Sequence, residues 1–289
     1  MTGVLTGKTA IVTGASHGLG LEIARAYVAA GARVLICARD STALDRARTE
    51  LESAAPDSGS VATTAADVSQ PEAVERLVEY ALERFSRIHV LVNNAGIYGP
   101  KGPTEDVDWE EWEQTIRVNL LGSVLCSRAV LPHFRANGYG KIVQLSGGGA
   151  TSPLPRLSAY AASKAAVVRF AETLAEELRG TGIDVNAIAP GALNTRLLDE
   201  VLEAGPELVG DAFYERALEQ QSSGGTALDL GARLAVFLGS GESDGITGKL
   251  ISAPWDPWAD LPLHADDLRF SDVYTLRRIV PADRDLRWG

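Results

Sequence analysis

The sequence predicts an α/β fold: a doubly wound parallel sheet of about seven strands, with helices on both faces, in a single domain. Two observations predict it. Short runs rich in Val, Ile and Leu alternate with longer helical patterns, the rhythm of repeated β-α-β units with right-handed crossovers. The runs are also apolar at nearly every position rather than at every second one, which places them in a sheet covered on both sides.

The strand runs are Thr9–Val12, Arg33–Cys37, Val61–Thr64, Val90–Val92, Lys141–Leu145, Asp184–Ala189 and Lys249–Ser252, each bounded by Gly, Asn, Asp or Pro. Helices are expected over Leu19–Ala30, Ser41–Ala54, Pro71–Phe85, Trp109–Ala136 with a break at Pro132, Ala159–Arg179 and Leu228–Leu238. Ser69-Gln70-Pro71-Glu72 reads as a capping box with Pro at the first helical position, and Gly31 and Gly180 read as left-handed C-terminal caps. A body over residues 1–253 is expected to include a mobile cover at about 191–225, helical but interrupted by Gly205-Pro206 and Gly210. Residues 254–289, with Trp255, Trp258 and Trp288, are too few for a domain and are expected to pack on the body or on a neighbouring subunit.

Composition narrows the function. The chain has 289 residues, 45% of them hydrophobic, which excludes intrinsic disorder and a small disulfide scaffold. A formal net charge of -11 argues against nucleic acid as a partner, because phosphate backbones need a basic face. Cys37 and Cys126 lie far apart with no CxxC or Cys/His cluster, so neither a disulfide framework nor a metal site is expected. No apolar stretch approaches the length of a membrane span, and the first residues lack a secretory leader. The expectation is a cytoplasmic protein with no membrane partner.

In an acidic protein an anionic ligand needs a local device. Thr13-Gly14-Ala15-Ser16-His17-Gly18-Leu19-Gly20 supplies one, because it joins the first strand to the first helix. Glycines at 14, 18 and 20 let the backbone approach a pyrophosphate, whose charge meets free N–H groups and the positive end of the helix dipole. The second strand ends Ala38-Arg39-Asp40, with Ala at the position where a carboxylate would bind a ribose 2'-hydroxyl and Arg next to it. That favours NADP over NAD, with His17 a second group for the 2'-phosphate; the alternative makes Arg39 a solvated strand-end charge and Asp40 a helix cap. Tyr160 and Lys164 fall one helical turn apart on one face, so a phenol and an ammonium share a space. A nearby cation stabilises phenolate, which suits Tyr160 to general acid–base work on a carbonyl or alcohol, while Lys164 could also hold a ribose hydroxyl.

Together these segments resemble the short-chain dehydrogenase/reductases, a Rossmann-fold family. TGASHGLG matches their TGxxxGxG turn, Asn93-Asn94-Ala95-Gly96 their NNAG, Tyr160 and Lys164 their YxxxK, and Pro190-Gly191 with Thr195 their PG...T, over residues 5–252. The resemblance implies that Ser16 and Leu19 belong to the cofactor turn, that Asp67 and Val68 flank the adenine, and that Asn93, Ala95 and Gly96 line the cofactor. It implies further that Asn119 positions a proton-relay water and that Ile188, Pro190, Gly191 and Thr195 touch the nicotinamide end. A homodimer or homotetramer formed through the Trp109–Ala136 and Ala159–Arg179 helices is the implied assembly.

The chain departs from the pattern in two places. The family's catalytic Ser lies thirteen residues before the Tyr, where this sequence has Gly147. Either Ser146, Thr151 or Ser152 replaces it, with Ser146 favoured, or that hydrogen bond is missing. After Ile251 the chain runs into Ser252-Ala253-Pro254-Trp255 rather than a short acidic-glycine turn, which puts the usual subunit contact in doubt. The expected activity is NADP-preferring hydride transfer between nicotinamide and a small-molecule ketone, aldehyde or secondary alcohol. A non-redox epimerase or lyase and a cofactor-sensing protein are the alternatives. The acidic cover disfavours a highly anionic substrate unless Arg196 and Arg216 point inward.

Overall fold

Seven strands form one parallel sheet in the order β3-β2-β1-β4-β5-β6-β7 in the computed structural model, which describes residues 3–55 and 59–287. They are β1 (Thr9–Thr13), β2 (Arg33–Ala38), β3 (Val61–Ala65), β4 (Val90–Asn93), β5 (Gly140–Leu145), β6 (Ile183–Ala189) and β7 (Leu250–Ser252). The interleaved helices are α1 (Gly18–Ala29), α2 (Ser41–Ala54), α3 (Pro71–Phe85), α4 (Trp109–Ile116), α5 (Gly122–Asn137), α6 (Ser158–Glu177), α7 (Arg196–Val209), α8 (Asp211–Ser223) and α9 (Leu228–Gly239). The expected strands and body helices are all present, with ends moved by a residue or two. Trp288, like residues 1–2, 56–58 and 289, lies outside the described residues.

Alternation along the fully buried strands divides the core. Ala10, Val12, Val34 and Ile36 face α1, α2 and α9, while Ile11, Leu35 and Cys37 face α3, α5 and α6. Burying a Val, Leu or Ile stabilises by about 1.5–3 kcal/mol, so both faces must be covered at once. Tyr27 locks α1 to α9 by donating its hydroxyl to the Ala235 carbonyl at 2.7 Å. Gly31 and Gly180 adopt the expected left-handed conformation, with φ of +91° and +79°.

Two local readings are corrected. Helix α5 runs through Pro132 without a break, and the irregularity lies earlier, in a π turn over Arg117–Leu121. The Asn119 side chain in that turn binds both the N–H and the C=O of Ile97, at 2.9 Å each, so a tertiary contact bends the chain where proline does not. The capping box before α3 does not form. Ser69 turns back to donate its N–H and hydroxyl to Asp67, at 3.0 and 2.7 Å, leaving Gln70 as an N-cap without a side-chain bond and Pro71 at the start of the helix.

The chain winds outward from β1 through β2 to β3, then returns to β4 on the other side of β1. A crevice opens beyond the carboxyl ends of these two strands, where the crossovers diverge. Helices α7 and α8 overhang it, with a kink at Gly205. The residues after β7 lie along the sheet's last edge: Tyr274 C=O accepts from Leu250 N at 2.8 Å, and Lys249 Nζ donates to the carbonyls of Ser271 and Val273. Trp258 is buried against Phe237, with ring centroids 5.7 Å apart. Among the described residues no helix is long and apolar enough to cross a membrane.

At the opposite end of the sheet the Lys141 ammonium is buried between Asp184 and Asp244, at 2.7 Å from each. Removing the ammonium leaves the largely buried Asp184 without its counter-ion, whereas Asp244 is exposed to water. Lys141→Met is therefore expected to lower the unfolding free energy by about 3 kcal/mol in urea titrations. A change under about 0.5 kcal/mol would show that Asp184 and Asp244 are satisfied without it.

Candidate active site

The crevice begins at a staple between β1 and β4. Asn94 Nδ2 donates to the carbonyls of Thr13 and Gly14, both at 2.9 Å, and Thr13 Oγ1 accepts from the N–H groups of Asn94 and Ala95 at 3.0 and 3.1 Å. This staple draws the glycine turn against the end of β4. A Cβ at Gly14 would lie 2.7 Å from Ala95 Cα, and one at Gly20 would lie 2.6 Å from Gly14 O, so both positions are closed to larger residues.

Helix α1 starts at this turn with no side-chain cap and no acid in its first turn. Its free N–H groups face a cavity of about 1190 Å³, lined on that side by Gly14, Ser16, His17, Gly18, Leu19 and Gly20. The uncapped helix end and the tight glycine cradle fit a dinucleotide pyrophosphate. Ala38, Arg39, Asp67, Val68, Ala95, Gly96, Pro190, Gly191 and Thr195 line the same cavity. Asp40 caps α2 by accepting from Ala43 N at 3.1 Å, while the exposed Arg39 guanidinium takes no partner among the described residues. Burial and the neighbouring Arg196 push the His17 pKa below its ordinary range, making it a neutral hydrogen-bonding group rather than a second cation.

Four expected positions behave differently from the reading of the sequence. Asn93 shares Leu91's face of the strand and donates to Ser123 O and Ser127 Oγ at 3.2 Å, turning away from the cavity. Ile188 is fully buried in the core and does not reach it. Asn119 is also buried, its side chain spent on Ile97 and on Ser163 Oγ at 2.9 Å. Ser146 lines the cavity, yet its hydroxyl is sealed and has no partner among the described residues, whereas Thr151 also lines the cavity and is exposed. The sequence reading did not single out Asn94 or Tyr98, both of which line the cavity. For Asn94 the signal was strand alternation, which sends Asn93 toward α5 and leaves the next residue to the crevice.

Helix α6 brings Tyr160 and Lys164 into the cavity as its 3.6-residue repeat requires. The Tyr160 hydroxyl has no hydrogen-bond partner among the described residues, and it occupies the space that a Cβ at position 147 would need. Lys164 Nζ donates to Leu145 O at 2.7 Å and stands 5.6 Å from the Tyr160 ring centroid. In this geometry burial outweighs the pull of the Lys164 ammonium on the phenol. Burial disfavours both charged forms, raising the Tyr160 pKa and lowering that of Lys164 to about 8.

Tyr98 packs against Tyr160, and Leu154, Leu198, Val201, Phe213 and Trp255 are apolar members of the same cavity's lining. The carboxylates of the cover lie mostly on its outer surface. Arg196 and Arg216 do line the cavity, with Arg196 paired to Glu200 at 3.3 Å.

The family model described as short chain dehydrogenase matches residues 8–205. A short-chain type dehydrogenase/reductase of Picea abies is 35% identical over 257 residues, covering 86% of this chain and 91% of that protein. An NADPH-dependent aldehyde reductase-like chloroplastic protein of Arabidopsis thaliana is 34% identical over 256 residues, covering 86% and 93%. The crystal structure of a levodione reductase superposes with a TM-score of 0.79 at 30% identity, covering 90% of this chain and 99% of that one. The glycine turn, the paired Tyr and Lys and the match along the chain lead to one conclusion: this protein is an oxidoreductase of the short-chain dehydrogenase/reductase family, whose members use NAD(P) and act on small molecules.

Proposed function

We propose that the protein is an NADPH-preferring reductase of ketones or aldehydes carrying an apolar body. The observation that carries this reading is the shared cavity, lined together by the glycine turn, Lys164, a set of apolar side chains and Tyr160, whose hydroxyl has no partner among the described residues. The cofactor, when bound, supplies hydride at its nicotinamide ring. Gly14, Ser16, His17, Gly18, Leu19 and Gly20 hold its pyrophosphate, Asp67 and Val68 its adenine, and Ala95, Gly96, Pro190, Gly191 and Thr195 its nicotinamide side. Lys164 takes a ribose hydroxyl, and Arg39 takes the 2'-phosphate. Arg39, without a partner among the described residues and next to Ala38 rather than a carboxylate, supports NADP, while the Asp40 carboxylate at the cavity rim accepts from the start of α2.

In reduction Tyr160 Oη would give its proton to the carbonyl oxygen of the substrate. The raised pKa keeps Tyr160 protonated at neutral pH, the form a proton donor needs. Lys164 steadies the phenolate left behind, so its own protonation matters. Asn119 braces the Gly96–Ile97 segment against α6 through its bonds to Ile97 and Ser163. Exposed Trp109 and Leu121 on the α4–α5 face support a homo-oligomer formed there, and the protein is proposed to act in the cytoplasm.

Oxidation of NADPH by a panel of ketones of graded bulk tests the activity. Tyr160→Phe is expected to lower turnover by about 10²–10⁴-fold; full retention would exclude the proton transfer, and product without net NADPH loss would favour an epimerase. Because the Lys164 amine is charged below its pKa of about 8, reduction should be flat to neutral pH and fall as pH rises through that value. A rate that climbs across this range would refute the role of the ammonium. Arg39→Ala should cut kcat/KM for NADPH by about 10-fold or more and leave NADH within about 3-fold, in line with the loss of a charge-assisted bond; equal losses would point to a folding defect. Since a side chain at position 147 collides with the Tyr160 hydroxyl, Gly147→Ser should reduce kcat by about 10-fold rather than enhance it. An increase would mean that the turn relaxes to admit a serine donor.

A further inference from the structure

We infer that Tyr98 is a positioning residue for Tyr160, holding its ring in place while anchoring the α7–α8 cover to the active site. The inference rests on the reductase reading above. The Tyr98 ring meets the Tyr160 ring edge-on, with centroids 4.5 Å apart and planes inclined by 67°. On another side Tyr160 faces Gly147, which offers only backbone. Its phenol therefore depends on Tyr98 for lateral support, and edge-on aromatic contacts are strongly orientation-dependent.

The same ring belongs to the cover's own apolar cluster, formed around Leu198, Val201, Val209 and Ala217. Among the described residues every other member of that cluster lies within α7 or α8, so Tyr98 is where the cover's interior meets the body. Polar contacts secure the cover on either side: Lys101 pairs with Glu200 at 3.5 Å, and Arg156 Nη1 donates to Glu207 O at 2.7 Å. Lys101 Nζ also lies 5.9 Å from the centre of the Tyr98 ring. Burial and Glu200 push the Tyr98 pKa up to about 12, so the ring meets Tyr160 as a neutral phenol. One aromatic side chain thus touches the proton donor and the roof above it, and displacement of the cover moves the support of Tyr160.

Wild type, Tyr98→Phe and Tyr98→Ala separate this role from others. With NADPH and the best ketone of the panel, Tyr98→Ala should lose about 10- to 100-fold in kcat, with KM for NADPH unchanged, because misplacement of a reacting group costs on that scale. Its pH profile should also shift, since water reaches the Tyr160 phenol. Tyr98→Phe, which keeps the ring, should recover most of the rate. Limited trypsin digestion reads the anchor without turnover: cleavage after Arg196 or Arg216 should quicken in Tyr98→Ala and not in Tyr98→Phe. Unchanged kcat and unchanged cleavage in Tyr98→Ala overturn the inference. So does an equal loss in Tyr98→Phe, which would assign the role to the hydroxyl. If wild type reduces no ketone, the functional reading fails, and the digestion still decides whether Tyr98 anchors the cover.

Discussion

Four hydrogen bonds between Thr13, Asn94 and the backbone beside them hold the crevice in shape. At the ends of β1 and β4 the ladder stops while the crossovers part, so carbonyls and N–H groups that would otherwise face the gap need partners. Asn94 supplies a side-chain amide to two carbonyls, and Thr13 returns an acceptor to two N–H groups. Gly14 can then press on Ala95, and the start of α1 is left aimed into the cavity. An acidic protein thus presents a locally positive point without a cluster of basic residues.

Much of this was legible in the sequence because the signals were local. Apolar runs with glycine or acidic boundaries locate every strand to within a residue or two, and α2 and α3 begin and end where Ser41, Pro71 and Phe85 suggest. The turn, Tyr160 and Lys164 could be placed in one cavity from spacing and topology alone. The failures share a cause in contacts distant along the chain. Pro132 fits within α5, whereas Asn119 distorts the helix through Ile97, twenty-two residues away. Asn93 and Asn94 are neighbours of one residue type with opposite directions, a distinction that only the strand's two-residue period could supply. Tyr98 carries no motif, and its significance depends on helices that begin at Arg196, far downstream.

The paired residues of α6 illustrate a balance between enclosure and charge. A neighbouring ammonium favours phenolate, but burial penalises both ions, and in this structure Lys164 is already committed to the Leu145 carbonyl. Enclosure prevails, and Tyr160 remains a protonated acid. The bare backbone at Gly147 is compatible with this arrangement, since the phenol oxygen fills the volume that a side chain would occupy.

The segment after β7 lies against a boundary where hydrogen-bonding groups would otherwise stand open. An uncovered strand of this kind is a template for recruiting further chains and seeding aggregates. By engaging Leu250 through Tyr274 and bracing Lys249 with two carbonyls, the final stretch of polypeptide closes that template from within. On that side of β7 the Leu250 N–H is taken by a segment of the same chain, so the edge offers one donor fewer to an incoming strand.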